Sequence, residues 1–211
     1  MNARAILINV IVIVVILAAA GGGIYYYTET ANYIKTDNAQ VTGTQVSIAS
    51  PAAGKLDTWR GEVGKEYKEG DTIGTVQADG QTVSVKAPAD GTIVQQTAVT
   101  NMFVSAGMSL AKTYDLDDLW ITANIEETRI NDLEVGQTVD VYVDAFPDDT
   151  LTGRVEQIGL ATAGSFSLLP ASNTDASYTK VTQVIPVTIS IEGYGSLGLV
   201  PGMNATVRIH I

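Results

Sequence analysis

His210 is the only histidine in the chain, and there is no cysteine. A zinc site of ordinary type draws its ligands from several His and Cys side chains, so one histidine cannot build it. The lack of cysteine also removes disulfides and thiolate nucleophiles. Three acidic pairs, Asp117-Asp118, Glu126-Glu127 and Asp148-Asp149, have the residue type for general acid–base work or for Ca²⁺. Each reads as part of a turn or a helix start, where Asp and Glu are favoured for backbone reasons. Ser and Asp are plentiful, but no Gly-x-Ser-x-Gly elbow exposes a nucleophile. His210 alternates onto the polar face of the last strand, which makes it a solvated strand residue. The sequence therefore offers no catalytic residue and no metal site, and the reading is of a chain that is not an enzyme.

The elements that would position any site are more telling than the reactive groups. Ser50-Pro51-Ala52-Ala53-Gly54-Lys55-Leu56 returns as Ala87-Pro88-Ala89-Asp90-Gly91-Thr92-Ile93, an offset of 37 residues. The same offset carries Val63 to Thr100, Tyr67 to Val104, Gly70 to Gly107 and Ile73 to Leu110. A repeat this short means one supersecondary unit used twice, each half burying the apolar face of the other. Residues 48–77 and 85–114 are expected to superpose.

Gly70-Asp71-Thr72-Ile73-Gly74-Thr75-Val76, followed by Val85-Lys86-Ala87-Pro88-Ala89-Asp90-Gly91-Thr92-Ile93, resembles a biotinyl/lipoyl domain. The resemblance implies a flattened β-barrel of two quasi-symmetric halves over residues 48–112. In carriers of this kind the acylated lysine sits on the hairpin between the halves. Here that position falls on Gly80, within Ala78-Asp79-Gly80-Gln81, and glycine has no amine. Asp79-Gly80 is a tight-hairpin signal. Lys86 lies in the next strand, outside that hairpin. No lipoyl, biotinyl or other cofactor is expected.

Net charge is −11, and all 23 acidic residues lie after position 28. That excludes nucleic acid as a partner, since phosphate binding needs Lys/Arg clusters. Residues 5–28 carry no charge, and residues 6–20 are aliphatic apart from Asn9. A helix of about 20 residues spans a hydrocarbon core. Residues 5–27 read as a transmembrane anchor, with residues 1–4 as a cytoplasmic stub. Tyr25-Tyr26-Tyr27 stand where an interfacial aromatic belt would be, and Arg4 places the N-terminus in the cytoplasm. The competing reading is a cleaved signal peptide with Ala18-Ala19-Ala20 as its processing site.

Residues 28–47 read as a polar linker and an approach strand. From residue 113 onward short strands continue. Val139, Val141 and Val143 alternate with polar neighbours, as do Val187, Ile189 and Ile191, and then Ala205, Val207 and Ile209. Residues 119–125 and 151–158 read as two more strands, residues 126–133 as a helical turn or two, and Trp120 as core. Residues 162–179, rich in Ser, Thr, Asn and Ala, read as a loop. This pattern argues for a small antiparallel β-barrel over 113–211. The fold class is thus mainly β, with a transmembrane helix, a lipoyl-like domain and a barrel in that order.

That order, with Thr36-Asp37-Asn38-Ala39-Gln40-Val41, Leu116-Asp117-Asp118-Leu119-Trp120-Ile121 and Leu199-Val200-Pro201-Gly202-Met203, resembles the HlyD/EmrA-type membrane fusion proteins, or periplasmic adaptors. Gly164-Ser165-Phe166-Ser167-Leu168-Leu169-Pro170 and the run from Tyr178 to Val187 resemble the drug-efflux members. The resemblance implies an accessory subunit of an exporter in the cell (inner) membrane. It implies an inner-membrane transporter of major-facilitator or ABC type as partner, self-assembly, and outward-facing C-terminal domains. Members that reach an outer-membrane channel carry a long α-helical hairpin between the lipoyl halves. A hairpin needs tens of residues at ~1.5 Å each, and Asp79-Gly80 leaves no room, so the chain resembles a short form without that channel. The alternative is a stand-alone, membrane-anchored surface binding module.

Two places are candidate partner contacts. Trp59 and Arg60 combine residue types enriched at interface hot spots. Phe166, Leu168 and Leu169 put apolar side chains into a polar loop, which calls for a partner or a fold-back.

Overall fold

A computed structural model describes residues 11–22, 32–166 and 182–211. Residues 11–22 are helical with every side chain exposed. No helix among the described residues is long and apolar enough to cross a membrane, and residues 5–10 and 23–27 of the expected span lie outside them.

The repeat is visible strand by strand. β2 (Gly54–Trp59) and β6 (Gly91–Gln96) stand 37 residues apart at both ends, as do β3 (Glu66–Tyr67) and β7 (Phe103–Val104). β4 (Thr72–Ala78) corresponds to the start of β8 (Ser109–Glu126), and β5 (Gln81–Lys86) to the end of β1 (Tyr33–Ala49). The registers repeat as well. Lys55 faces Gln77 as Thr92 faces Tyr114, and both ladders slip by one residue at the next step but one. Gly70 and Gly107 take the same left-handed conformation, φ 84° and 80°. Gly54 and Gly91 fill equivalent turns. A Cβ at Gly54 would lie 2.1 Å from the Gln77 carbonyl oxygen, and one at Gly91 would lie 2.9 Å from that of Tyr114. Bare backbone is required wherever the chain passes this close. Leu56, Ile73 and Val76 from one half and Ile93 and Leu110 from the other fill one core, all of them fully buried.

The second unit is a closed six-stranded barrel. Around it run β1, β12 (Asn204–His210), β9 (Thr138–Val143), β10 (Thr150–Ile158), β11 (Val184–Glu192) and β8, which pairs back with β1. Inward-facing Val, Ile and Ala from all six strands form its core, the period-two pattern expected of a small barrel. Gly136 and Gly202, φ 95° and 93°, make matching turns shortly before β9 and β12.

Four sequence readings change. Residues 33–38, taken as linker, are the first part of β1 and pair with β12. Without them β1 would pair with β12 only through Ala39 and Gln40. The boundary near residue 113 falls inside a single strand, because β8 crosses from one unit into the other. Trp120 is half-buried, since Leu119 and Ile121 take the inward positions on either side of it.

Asp117-Asp118 is also not a turn. Gly43 faces Leu119 and Gln45 faces Tyr114, so residues 115–118 bulge from β8 opposite a single residue, Thr44. The Tyr194 hydroxyl pins the bulge: it donates to the Asp117 carbonyl at 2.6 Å and accepts from the Leu119 N–H at 2.9 Å. The bulge lies where the sandwich ends and the barrel begins, and it re-aims the strand without breaking it.

Candidate partner-contact surfaces

The hairpin tip between β4 and β5 is the place a carrier would be acylated. Asp79 and Gly80 have φ of 48° and 76°, the two positive values of a tight hairpin turn of the primed type. The turn is closed by these two residues. Lys86 is exposed at the end of β5, opposite Thr72, away from the tip. Among the described residues no group of three or more His, Cys, Asp or Glu side chains could hold a metal ion. His210 is engaged rather than merely solvated: its Nε2 lies 2.9 Å from Asp140 Oδ2, and its ring meets Tyr33 edge-on at 4.8 Å. Arg208 stacks over that tyrosine ring at 3.6 Å. The trio holds the start of β1 against β12 and β9.

Trp59 packs inward. Its ring covers Gly61 and Gly74, where a Cβ would come within 2.5 and 3.0 Å of it. Its indole N–H donates to Gln96 Oε1 at 3.3 Å. Trp59 and Gln96 are themselves repeat equivalents, so this bond joins the two halves. Arg60 is exposed, but its backbone is tied down: its N–H donates to Ile73 and its carbonyl accepts from the Tyr67 hydroxyl at 2.7 Å. Phe166 closes a 3₁₀ turn over Ala163–Phe166, and Leu168 and Leu169 lie outside the described residues.

The repeat exposes surface that sequence reasoning passed over. Phe103 is 81% exposed and Val99 66%, whereas their counterparts in the first half are Glu66 and Glu62. Conversely, Val63, Val94 and Leu116 line a cleft of about 380 Å³ together with Val200 and Pro201 of the barrel. Their repeat counterparts are Thr100, Asp57 and Asp79, all exposed and polar. Both halves adopt one backbone, so the fold does not demand these apolar residues. The signal was present in the sequence as mismatches of polarity within the repeat.

Known proteins match the same two units. The family described as "YhbJ, barrel-sandwich hybrid domain" matches residues 45–115, and the "YknX-like beta-barrel domain" matches residues 119–209. The "Putative efflux system component YhbJ" of Bacillus subtilis (strain 168) is 50% identical over 206 residues, which is 98% of this chain and 92% of that one. The "Multidrug export protein EmrA" of Escherichia coli (strain K12) is 31% identical over 107 residues, 50% of this chain and 27% of its own length. The chain thus spans about a quarter of that longer relative. The solved structure of the membrane fusion protein Spr0693 from Streptococcus pneumoniae R6 shares the fold, with a TM-score of 0.58 at 15% identity over 84% of this chain and 97% of that one. Proteins of this kind are non-enzymatic structural subunits of efflux systems. A repeated sandwich, a six-stranded barrel sharing two of its strands, and a near full-length relative of half-identical sequence together mean that this chain belongs to the membrane fusion protein, or periplasmic adaptor, family, in a short form whose sandwich halves meet at Asp79-Gly80.

Proposed function

We propose that this chain is the adaptor subunit of an exporter and works beside an inner-membrane transporter of major-facilitator or ABC type. The observation that carries the reading is the fusion of a repeat-built sandwich to a closed barrel through two uninterrupted strands, β1 and β8. Such a body gives its partners a shaped surface. An uncharged N-terminal stretch whose described part is a helix exposed all round supports a bilayer anchor over residues 5–27, since a helix apolar on every side needs an apolar surrounding. The barrel and sandwich then face outward from the cell membrane.

Copies of the chain meet through the apolar surfaces that break the repeat's symmetry, the Val99–Phe103 side and the Val63–Leu116–Val200 cleft. The segment from Phe166 through Leu168 and Leu169 contacts the transporter, and Arg60 beside Trp59 adds a polar contact. With the tip closed by two residues, the adaptor acts without an outer-membrane tunnel.

Gentle crosslinking in the native membrane, followed by purification of the chain, tests the reading. The expected result is a co-purifying multi-span transporter, together with greater sensitivity to one class of exported compound when the gene is deleted. Alanine at Phe166, Leu168 and Leu169 together is expected to weaken that co-purification roughly thirtyfold, the scale of losing about 2 kcal/mol of buried anchor. No transporter and no export phenotype would leave a surface binding module as the better account.

A further inference from the structure

Three exposed apolar side chains stand at the ends of three neighbouring barrel strands. Ile211 follows β12, Val135 precedes β9 and Leu160 follows β10, and these strands are consecutive around the barrel. Register places the three ends on one rim: His210 faces Tyr33, Ile209 faces Val139 and Arg154 faces Thr138. It is the rim farthest from the sandwich, because β1 and β8 leave the opposite end of the barrel to enter it. Leu160 is fully exposed and Val135 is 64% exposed. Among the described barrel residues the other exposed large apolar side chains are Tyr142 on the wall and Val200 in the junction cleft.

The chain arrives on this same rim. β1 begins at Tyr33, beside Ile211, whose N–H donates to the Asn32 carbonyl at 3.0 Å. Only residues 23–31 separate the exposed helical residues 11–22 from Asn32. Nine residues bridge at most about 35 Å between their neighbours. On the reading that residues 5–27 anchor in the bilayer, on which this inference rests, the rim is held close to the lipid and the sandwich points away.

We propose that this rim rests on the bilayer itself, with Leu160, Val135 and Ile211 entering the interfacial layer. The residue types fit lipid better than a protein partner. Protein hot spots are enriched in Trp, Tyr and Arg and poor in Leu and Val, whereas aliphatic side chains on a rim beside an anchor bury readily at the headgroup boundary. Glu126, Glu127, Asp132, Glu134, Asp140 and Glu156 outnumber Lys35, Arg129, Arg154 and Arg208 at this end, and Arg129 is already paired with Asp132 at 3.2 Å. Contact therefore rests on apolar burial and gains nothing from anionic headgroups. It makes the barrel a second point of membrane attachment and fixes the tilt of the whole body.

The cysteine-free chain allows a direct test. Leu160→Cys, Val135→Cys, Phe103→Cys and Leu17→Cys, each in the full-length protein, are labelled with an environment-sensitive fluorophore and reconstituted in phosphatidylcholine vesicles carrying a headgroup-depth lipid quencher. Positions 160 and 135 are expected to be quenched by the lipid probe several-fold more than position 103, and by aqueous iodide several-fold less. Position 17 reports the anchor. If 17 is reached by the lipid probe while 160 and 135 behave like 103, the rim proposal falls and the anchor stands. If 17 is not reached, the anchor reading fails and the rim proposal with it. Protection of 160 and 135 from iodide without lipid quenching would assign the rim to a protein contact and overturn the proposal. Added phosphatidylglycerol is expected to leave the lipid quenching equal or weaker, and a marked increase would overturn the apolar account.

Discussion

Residues 54–78 and 91–115 follow one course, yet the first carries Glu62 and Glu66 where the second carries Val99 and Phe103. The difference separates two kinds of residue that a single-copy domain leaves mixed. Positions that agree, such as Leu56 with Ile93 or Gly54 with Gly91, answer to packing and backbone clearance. Positions that disagree answer to what lies outside the half. The segment with Glu62 and Glu66 runs to β3 beside β6, on the side of the barrel cleft, while the segment with Val99 and Phe103 runs to β7 beside β2, away from it. One backbone has thus been given two surfaces, and the contrast acts as an internal control for which side chains the fold needs.

The equivalence is broken most severely in the core. Leu56→Ala and Ile93→Ala each remove a fully buried branched side chain, and each is expected to cost about 3–4 kcal/mol. Urea unfolding monitored by circular dichroism measures both. Costs differing several-fold would mean that one half alone carries the sandwich. A somewhat smaller loss is expected at the equivalent turns. Gly54→Ala forces a methyl against the Gln77 carbonyl, and Gly91→Ala against that of Tyr114, with Gly54 the tighter of the two. Each is expected to lower stability by about 2–3 kcal/mol, Gly54→Ala through the closer carbonyl and Gly91→Ala also through its φ of 152°, read from the shift in unfolding midpoint. The smallest effect is expected where the halves disagree. Phe103→Glu gives the second half the residue the first half carries, and stability is expected to stay within about 0.5 kcal/mol. The proposed self-association, followed by sedimentation velocity or crosslinking in the same samples, is expected to fall. A loss of stability at Phe103 would return that residue to the fold and remove it from the surface.

The sandwich was legible because a fixed offset survives any uncertainty about individual strands. The barrel was legible only in part. The first part of its sixth strand hides in residues 33–38, where Ile34 is the one buried side chain and Lys35 and Asp37 read as linker. The continuity of β8 was hidden by Asp115, Asp117 and Asp118, which look like an interruption and are a bulge held by Tyr194. That hydroxyl lies 77 residues away in sequence, and no local pattern points to it. The candidate surfaces were hard to read for a different reason. Trp59 was singled out by residue type, but type does not say which way a ring lies, and here it lies over two glycines. Phe103 drew no notice because a lone phenylalanine in a short strand looks like core. Only comparison with Glu66 marks it as surface.

The two strands shared by barrel and sandwich have a mechanical consequence. A tug between the rim where β1 begins and the tip at Asp79-Gly80 runs along β1 and β8, parallel to their axes. Their ladder of hydrogen bonds is then loaded in shear, many rungs at once, whereas a linker would stretch and a hairpin pulled from its ends would unzip one rung at a time. The junction between the two bodies is therefore a stiff strut with a built-in bend at residues 115–118, suited to carrying a displacement at the rim through to the far end of the sandwich.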